Sequence, residues 1–176
     1  MSLKRYVYIA SLLTMSIVLS MVESLIPIPV PGVKLGLANI IILVMLYDFK
    51  TSEAFMVLIL RVLLVGLLRG NIFQMPFFMS LSGGLTSFIL MRIFSKFKFF
   101  SVIGVSVIGS IFHCVGQIAI AIILLETAQV IYYLPVIGIL STVTGVLTGI
   151  ISKRFLSLKI NDQFKVNKDK KGISEN

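Results

Sequence analysis

The chain has one cysteine, Cys114, one histidine, His113, and seven acidic residues among 176. A single thiol excludes an intramolecular disulfide framework and a cysteine-based metal cluster. A single imidazole excludes the H-E-x-x-H zinc motif and a two-histidine haem site. Asp48, Asp162 and Asp169 stand alone, so no aspartate-rich pair is present to hold magnesium against a diphosphate. No G-x-x-x-x-G-K-S/T run occurs, which excludes that type of ATPase site in this chain. No catalytic residue, metal ligand or cofactor is read from this pattern. Charge is scarce as well, at 13% against about 25% in a typical soluble domain.

What fills the sequence is apolar. Hydrophobic residues make up 57% of it and the mean hydropathy is +1.05. A globular domain of this size leaves about 30% of its unfolded surface in water, so it has no room to bury that much apolar material. Lipid is the expected solvent. Six apolar stretches, 6–26, 35–47, 54–68, 72–91, 100–125 and 130–151, predict an all-α membrane protein with six transmembrane helices over residues 1–152. The first stretch follows Lys4-Arg5 but lacks an A-x-A-like cleavage site, so it reads as a retained span rather than a signal peptide. The second and third stretches are short, covering only about 20–22 Å of a roughly 30 Å hydrocarbon core. Their joint carries Asp48, Lys50 and Glu53, which are expensive at bilayer depth, so the joint is placed in water.

The net charge of +9 resolves into a topology signal. With the N-terminus inside, Lys4, Arg5, Lys50, Arg92, Lys96, Lys98, Lys153, Arg154, Lys159, Lys165, Lys168, Lys170 and Lys171 collect on one side. That asymmetry predicts a multi-pass protein of the cell membrane with both termini cytoplasmic, and it removes nucleic acid as the obvious partner. The tail, 153–176, is lysine-rich and polar, and its composition predicts disorder. The glycine pairs Gly32/Gly36, Gly66/Gly70 and Gly145/Gly149, with Gly138 and Thr142, predict close helix packing.

The remaining polar residues gather toward the outer half. Glu23 ends the first span, Lys34 and Asn39 begin the second, Asn71 and Gln74 begin the fourth, and His113 and Gln117 form an i, i+4 pair in the fifth. Arg61 lies about 12 Å deep in the third span. Arg69 follows it by eight residues, about 80° around the helix, so both are expected to face one cavity. Lys34, Arg61 and Arg69 outnumber Glu23. That excess predicts a small anionic or zwitterionic ligand, because unpaired cations in a low dielectric are relieved by a bound anion. The plainer readings are a structural Arg61–Glu23 ion pair, a Glu23–Lys34 pair across the proline loop, and interhelical hydrogen bonding by His113-Gln117.

Glu23-Ser-Leu-Ile-Pro27, Pro31-Gly-Val-Lys-Leu-Gly-Leu-Ala-Asn39, Leu60-Arg61, Ser82-Gly-Gly84 and Phe112-His-Cys-Val-Gly-Gln117 together resemble the Gx transporter family, often labelled heptaprenyl diphosphate synthase component I. The resemblance covers about residues 5–152. That family is in turn similar to the six-helix S-components of energy-coupling factor (ECF) transporters. The resemblance implies an S-component-like bundle that captures its substrate from outside and works with a coupling membrane subunit and ATPases. Two departures stand out. Cys114 replaces the asparagine of the family's Phe-His-Asn-x-Gly-Gln, and the Ala-x-x-x-Ala docking motif of S-components is represented only by Ala10/Thr14 and Ser16/Ser20. The family label raises a second reading, a membrane accessory of isoprenoid or quinone-linked redox metabolism.

Overall fold

The computed structural model describes residues 3–26, 34–97 and 99–173, with the side chains of the last helix described through Leu158. The proline loop, Gly32 and Lys98 lie outside the described residues, as do the side chains of the tail beyond Leu158. Among the described residues six helices follow one another: α1 (Leu3–Glu23), α2 (Asn39–Asp48), α3 (Thr51–Leu68), α4 (Met75–Phe94), α5 (Val102–Leu125) and α6 (Leu134–Ile173), the last preceded by a 3-10 turn at Ala128–Tyr133. No strand occurs among the described residues. Five of the helices are long and apolar enough to cross a membrane.

The second helix is the exception. It has 10 residues, a rise of about 15 Å, or half of the hydrocarbon thickness. Every residue from Asn39 to Leu46 is buried. A helix apolar on all sides belongs inside a bundle, and α2 packs against Ile9 and Leu12 of α1, Val57 and Leu58 of α3, Phe88 and Met91 of α4, and Val105 of α5.

Specific contacts fix how the helices run. Arg5 at the start of α1 pairs with Glu53 at the start of α3, Nη2 to Oε2 at 2.7 Å. The same guanidinium lies over the Phe49 ring, which stacks on Tyr8. α1 and α3 therefore begin at the same end of the bundle, and the chain must return across it between Glu23 and Phe49. α2 supplies half of that crossing, and irregular backbone at 34–38 supplies the other half that is described. Glu53 also accepts the Lys50 N–H at 3.0 Å, which caps α3 at its first turn. This is why the helix starts three residues earlier than the apolar stretch.

α4, α5 and α6 form an antiparallel layer built on close approach. A Cβ at Gly145 would stand 2.8 Å from the Val107 Cα, and one at Gly149 would stand 2.8 Å from the Ile103 Cα, so these glycines let two backbones meet. Ser106 and Thr148 hydrogen bond across the seam at 2.7 Å. Two other glycines depart from the expected pattern. Gly138 faces open space, and Gly70 sits in the left-handed region at the α3–α4 turn with nothing near it. Their spacing matches a packing motif, but their positions lie outside any helix seam.

Candidate functional site

Along α3 the buried positions Ala54, Val57, Leu58, Arg61, Val62 and Val65 recur at helical spacing and form the face turned toward the bundle. Arg61 falls on that face and is only 4% exposed. Long side chains near a helix end reach the headgroups, but this guanidinium is too deep for that. It lines a narrow cavity with Ser20, Glu23, Lys34, Gly36, Asn39, Asn71, Phe77, Ser80 and His113. The space that admits the centre of a water-sized sphere is about 20 Å3, room for about one or two waters.

The carboxylate of Glu23, 2% exposed, is occupied by backbone. Its Oε1 accepts the N–H of Gly36 and, at 3.1 Å, that of Leu37. Gly36 has φ +91°, a conformation that costs an L side chain and that glycine adopts freely. Gln117 on α5, fully buried, accepts the Lys34 N–H at 2.8 Å through Oε1. Thr144 on α6 donates to the Leu35 carbonyl at 3.3 Å. Irregular backbone at membrane depth needs every polar group satisfied by protein, and here α1, α5 and α6 each lend a side chain to do so.

Fixing Gln117 Oε1 on the Lys34 N–H turns its amide NH2 toward His113 Nε2, 2.5 Å away. An amide NH2 only donates, so Nε2 is the acceptor and the ring proton lies on Nδ1. Among the described residues no acceptor meets Nδ1 in hydrogen-bonding geometry. The glycines beside this pair are filled by α4: a Cβ at Gly109 would meet Met91, and one at Gly116 would meet Thr86 and the Ser82 carbonyl.

The Lys34 ammonium donates to Ser80 Oγ at 2.9 Å. Asn39 donates to Ser87 at 3.1 Å. Arg61 differs from its neighbours. Among the described residues its guanidinium has no hydrogen bond and no ion pair within 4.0 Å, and Glu23 reaches it only as a nearby charge.

Of the residues expected at the site, Glu23, Lys34, Asn39, Arg61, Asn71 and His113 come together around one cavity, and Gln117 stands behind it. Arg69 and Gln74 do not line it. Arg69 is the residue after the last turn of α3, Gln74 is the residue before α4, and both are exposed. Arg69 still donates its N–H to the Val65 carbonyl at 3.1 Å, so the 80° offset holds, but the position is at the open end of α3 where its side chain is exposed rather than turned into the cavity. Neither a Glu23–Arg61 nor a Glu23–Lys34 contact pair forms, because Glu23 is directed at backbone N–H groups. Ser20, Ser80 and Phe77 also line the cavity. Nothing marks them in the sequence, since small hydroxyls and phenylalanine are ordinary inside apolar spans. Among the described residues no group of three or more His, Cys, Asp or Glu is placed to hold a metal ion.

Residues 12–155 match the family model described as heptaprenyl diphosphate synthase component I. Comparison with curated proteins and with solved structures gives no match.

Proposed function

This chain belongs to the heptaprenyl diphosphate synthase component I family, and on that premise and the cavity's geometry we propose that it is the substrate-capturing membrane subunit of an ECF-like importer. A small anionic or zwitterionic molecule enters from the outer side and is held by Arg61 and Lys34. Asn39, Asn71 and His113 shape the wall around it, while Glu23 and Gln117 hold the backbone that closes it. Energy comes from partner ATPases through a coupling membrane subunit. Both termini of the chain are cytoplasmic in this reading, as the clustering of basic residues at one end supports.

The observation that carries the reading is Arg61, a buried cation beside a cavity without a contact partner among the described residues. An uncompensated charge in a low dielectric costs several kcal/mol, and an anion offsets that cost when it binds. The test is thermal-shift screening of the detergent-solubilised chain against a panel of small anions and zwitterions, repeated with Arg61→Ala and His113→Ala. Binding of a confirmed ligand that is equal in all three proteins refutes the site.

The family's description favours a second reading, a membrane accessory of isoprenoid or quinone-linked metabolism whose cavity holds a diphosphate or a quinone headgroup. Co-purification separates the two: coupling-factor ATPases support import, and a prenyl synthase or flavoprotein partner supports the accessory role.

A further inference from the structure

The cavity holds three formal charges, and their sum restricts what can neutralise it. Glu23 contributes one negative charge, and Lys34 and Arg61 contribute one positive charge each. Arg69, exposed at the end of α3, acts on Lys34 from outside and adds positive potential. The cavity therefore carries one uncompensated positive charge. A zwitterion leaves that charge in place, and a dianion replaces it with a negative one. Glu23 is poorly suited to receive an ammonium, since its Oε1 holds two backbone N–H groups and a further cation there would sit beside Lys34 and Arg61.

Ser20, Asn39, Asn71, Ser80 and His113 line part of the remaining wall, and another part is apolar and close. Val62 and Val65 follow Arg61 on the same helix face, and Phe77 at the first turn of α4 packs into the gap left by Gly66, where a Cβ would stand 2.9 Å from its ring. Only about 20 Å3 of the cavity admits the centre of a water-sized sphere, far below a typical ligand pocket of about 300–1,000 Å3, so an occupant must be compact and the side chains around it must yield as it enters. We infer that the cavity takes a singly charged anion on a compact apolar body, a short or branched monocarboxylate, with its carboxylate at Arg61 and Lys34 and its body against Val62, Val65 and Phe77. This narrows the ligand class of the capture function proposed above and rests on it.

Isovalerate, valine and isopropylmalonate share one carbon skeleton and differ at the α-carbon, which carries a hydrogen, an ammonium or a second carboxylate. Thermal unfolding of the full chain in detergent, titrated with each, ranks the three charge types on one apolar body. Isovalerate is expected to raise the Tm most, and Arg61→Ala to weaken its binding by roughly ten- to a hundred-fold, the effect of losing one charge-assisted contact. Should that variant fail to fold, the ranking on the unaltered protein decides. Valine or isopropylmalonate matching or exceeding isovalerate overturns the charge assignment and leaves ligand capture standing. No shift with any of the three overturns the apolar-body assignment. The capture function itself fails only if the wider panel of anions and zwitterions yields no ligand.

Discussion

Replacing Glu23 separates two jobs that one carboxylate does in this bundle. Glu23→Ala leaves the N–H groups of Gly36 and Leu37 without their acceptor. Hydrogen bonds to a charged group contribute about 1.5–3 kcal/mol each, so two of them amount to about 3–6 kcal/mol. Interhelical hydrogen bonds in membranes are often weaker, about 0.6–1.7 kcal/mol, because separated helices find substitutes. That discount does not extend to Gly36 and Leu37. They belong to irregular backbone with no helical carbonyl to turn to, so the upper range applies. Glu23→Gln keeps an acceptor oxygen and loses the charge assistance, roughly half of each bond, for a cost of about 1.5–3 kcal/mol. Equilibrium unfolding in mixed detergent micelles, followed by helical circular dichroism, measures both. Glu23→Ala is expected to cost about 1.5–3 kcal/mol more than Glu23→Gln. Equal losses would mean that Glu23 acts as a counter-charge and that its backbone contacts contribute little, and the account of the 34–38 segment would then be wrong.

Cysteines placed at Lys4 and Lys50 should be labelled from the same side of sealed vesicles, since α1 and α3 begin together; the native Cys114 is buried and gives little background. Labelling from opposite sides would refute the second crossing. Gly145→Ala should destabilise the chain by about 1–3 kcal/mol through overpacking against α5, whereas Gly138→Ala, with open space beside it, should be neutral or slightly stabilising. A reversed order in the same unfolding assay would contradict the packing assigned to α6.

The spans were legible because lipid imposes a simple rule on composition: long apolar runs without charges become helices. Boundaries shifted where polar chemistry acts locally, as at Glu53, whose reach back to Lys50 extends α3 into a polar joint. The second stretch was the least legible. Its residues 35–37 are as apolar as a helix, yet they and Lys34 are tied outside helical hydrogen bonding by Glu23, Gln117 and Thr144, which come from three distant parts of the chain. No local pattern encodes that. The meeting of Lys34, Arg61 and His113 was foreshadowed by the rule that ionisable groups inside a bilayer face a shared interior. That rule gives no angular precision, so it also drew in Arg69, which the end of α3 releases to the surface. Gln117 looked like a ligand group, and its contacts are a backbone N–H and a histidine ring.

The half-helical second crossing has a consequence for how the protein is made. A 10-residue helix preceded by irregular backbone cannot stand alone in lipid when it leaves the translocon, because the N–H groups of Lys34, Gly36 and Leu37 need acceptors that lipid does not offer. Glu23, which accepts the Gly36 and Leu37 N–H groups, is already present at that moment, but Gln117, which accepts the Lys34 N–H, and Thr144, which donates to the Leu35 carbonyl, lie on α5 and α6 and are synthesised last. The second crossing is therefore completed after the fifth and sixth, and a nascent chain stalled beyond α4 should hold residues 34–48 in a topology different from that of the finished protein.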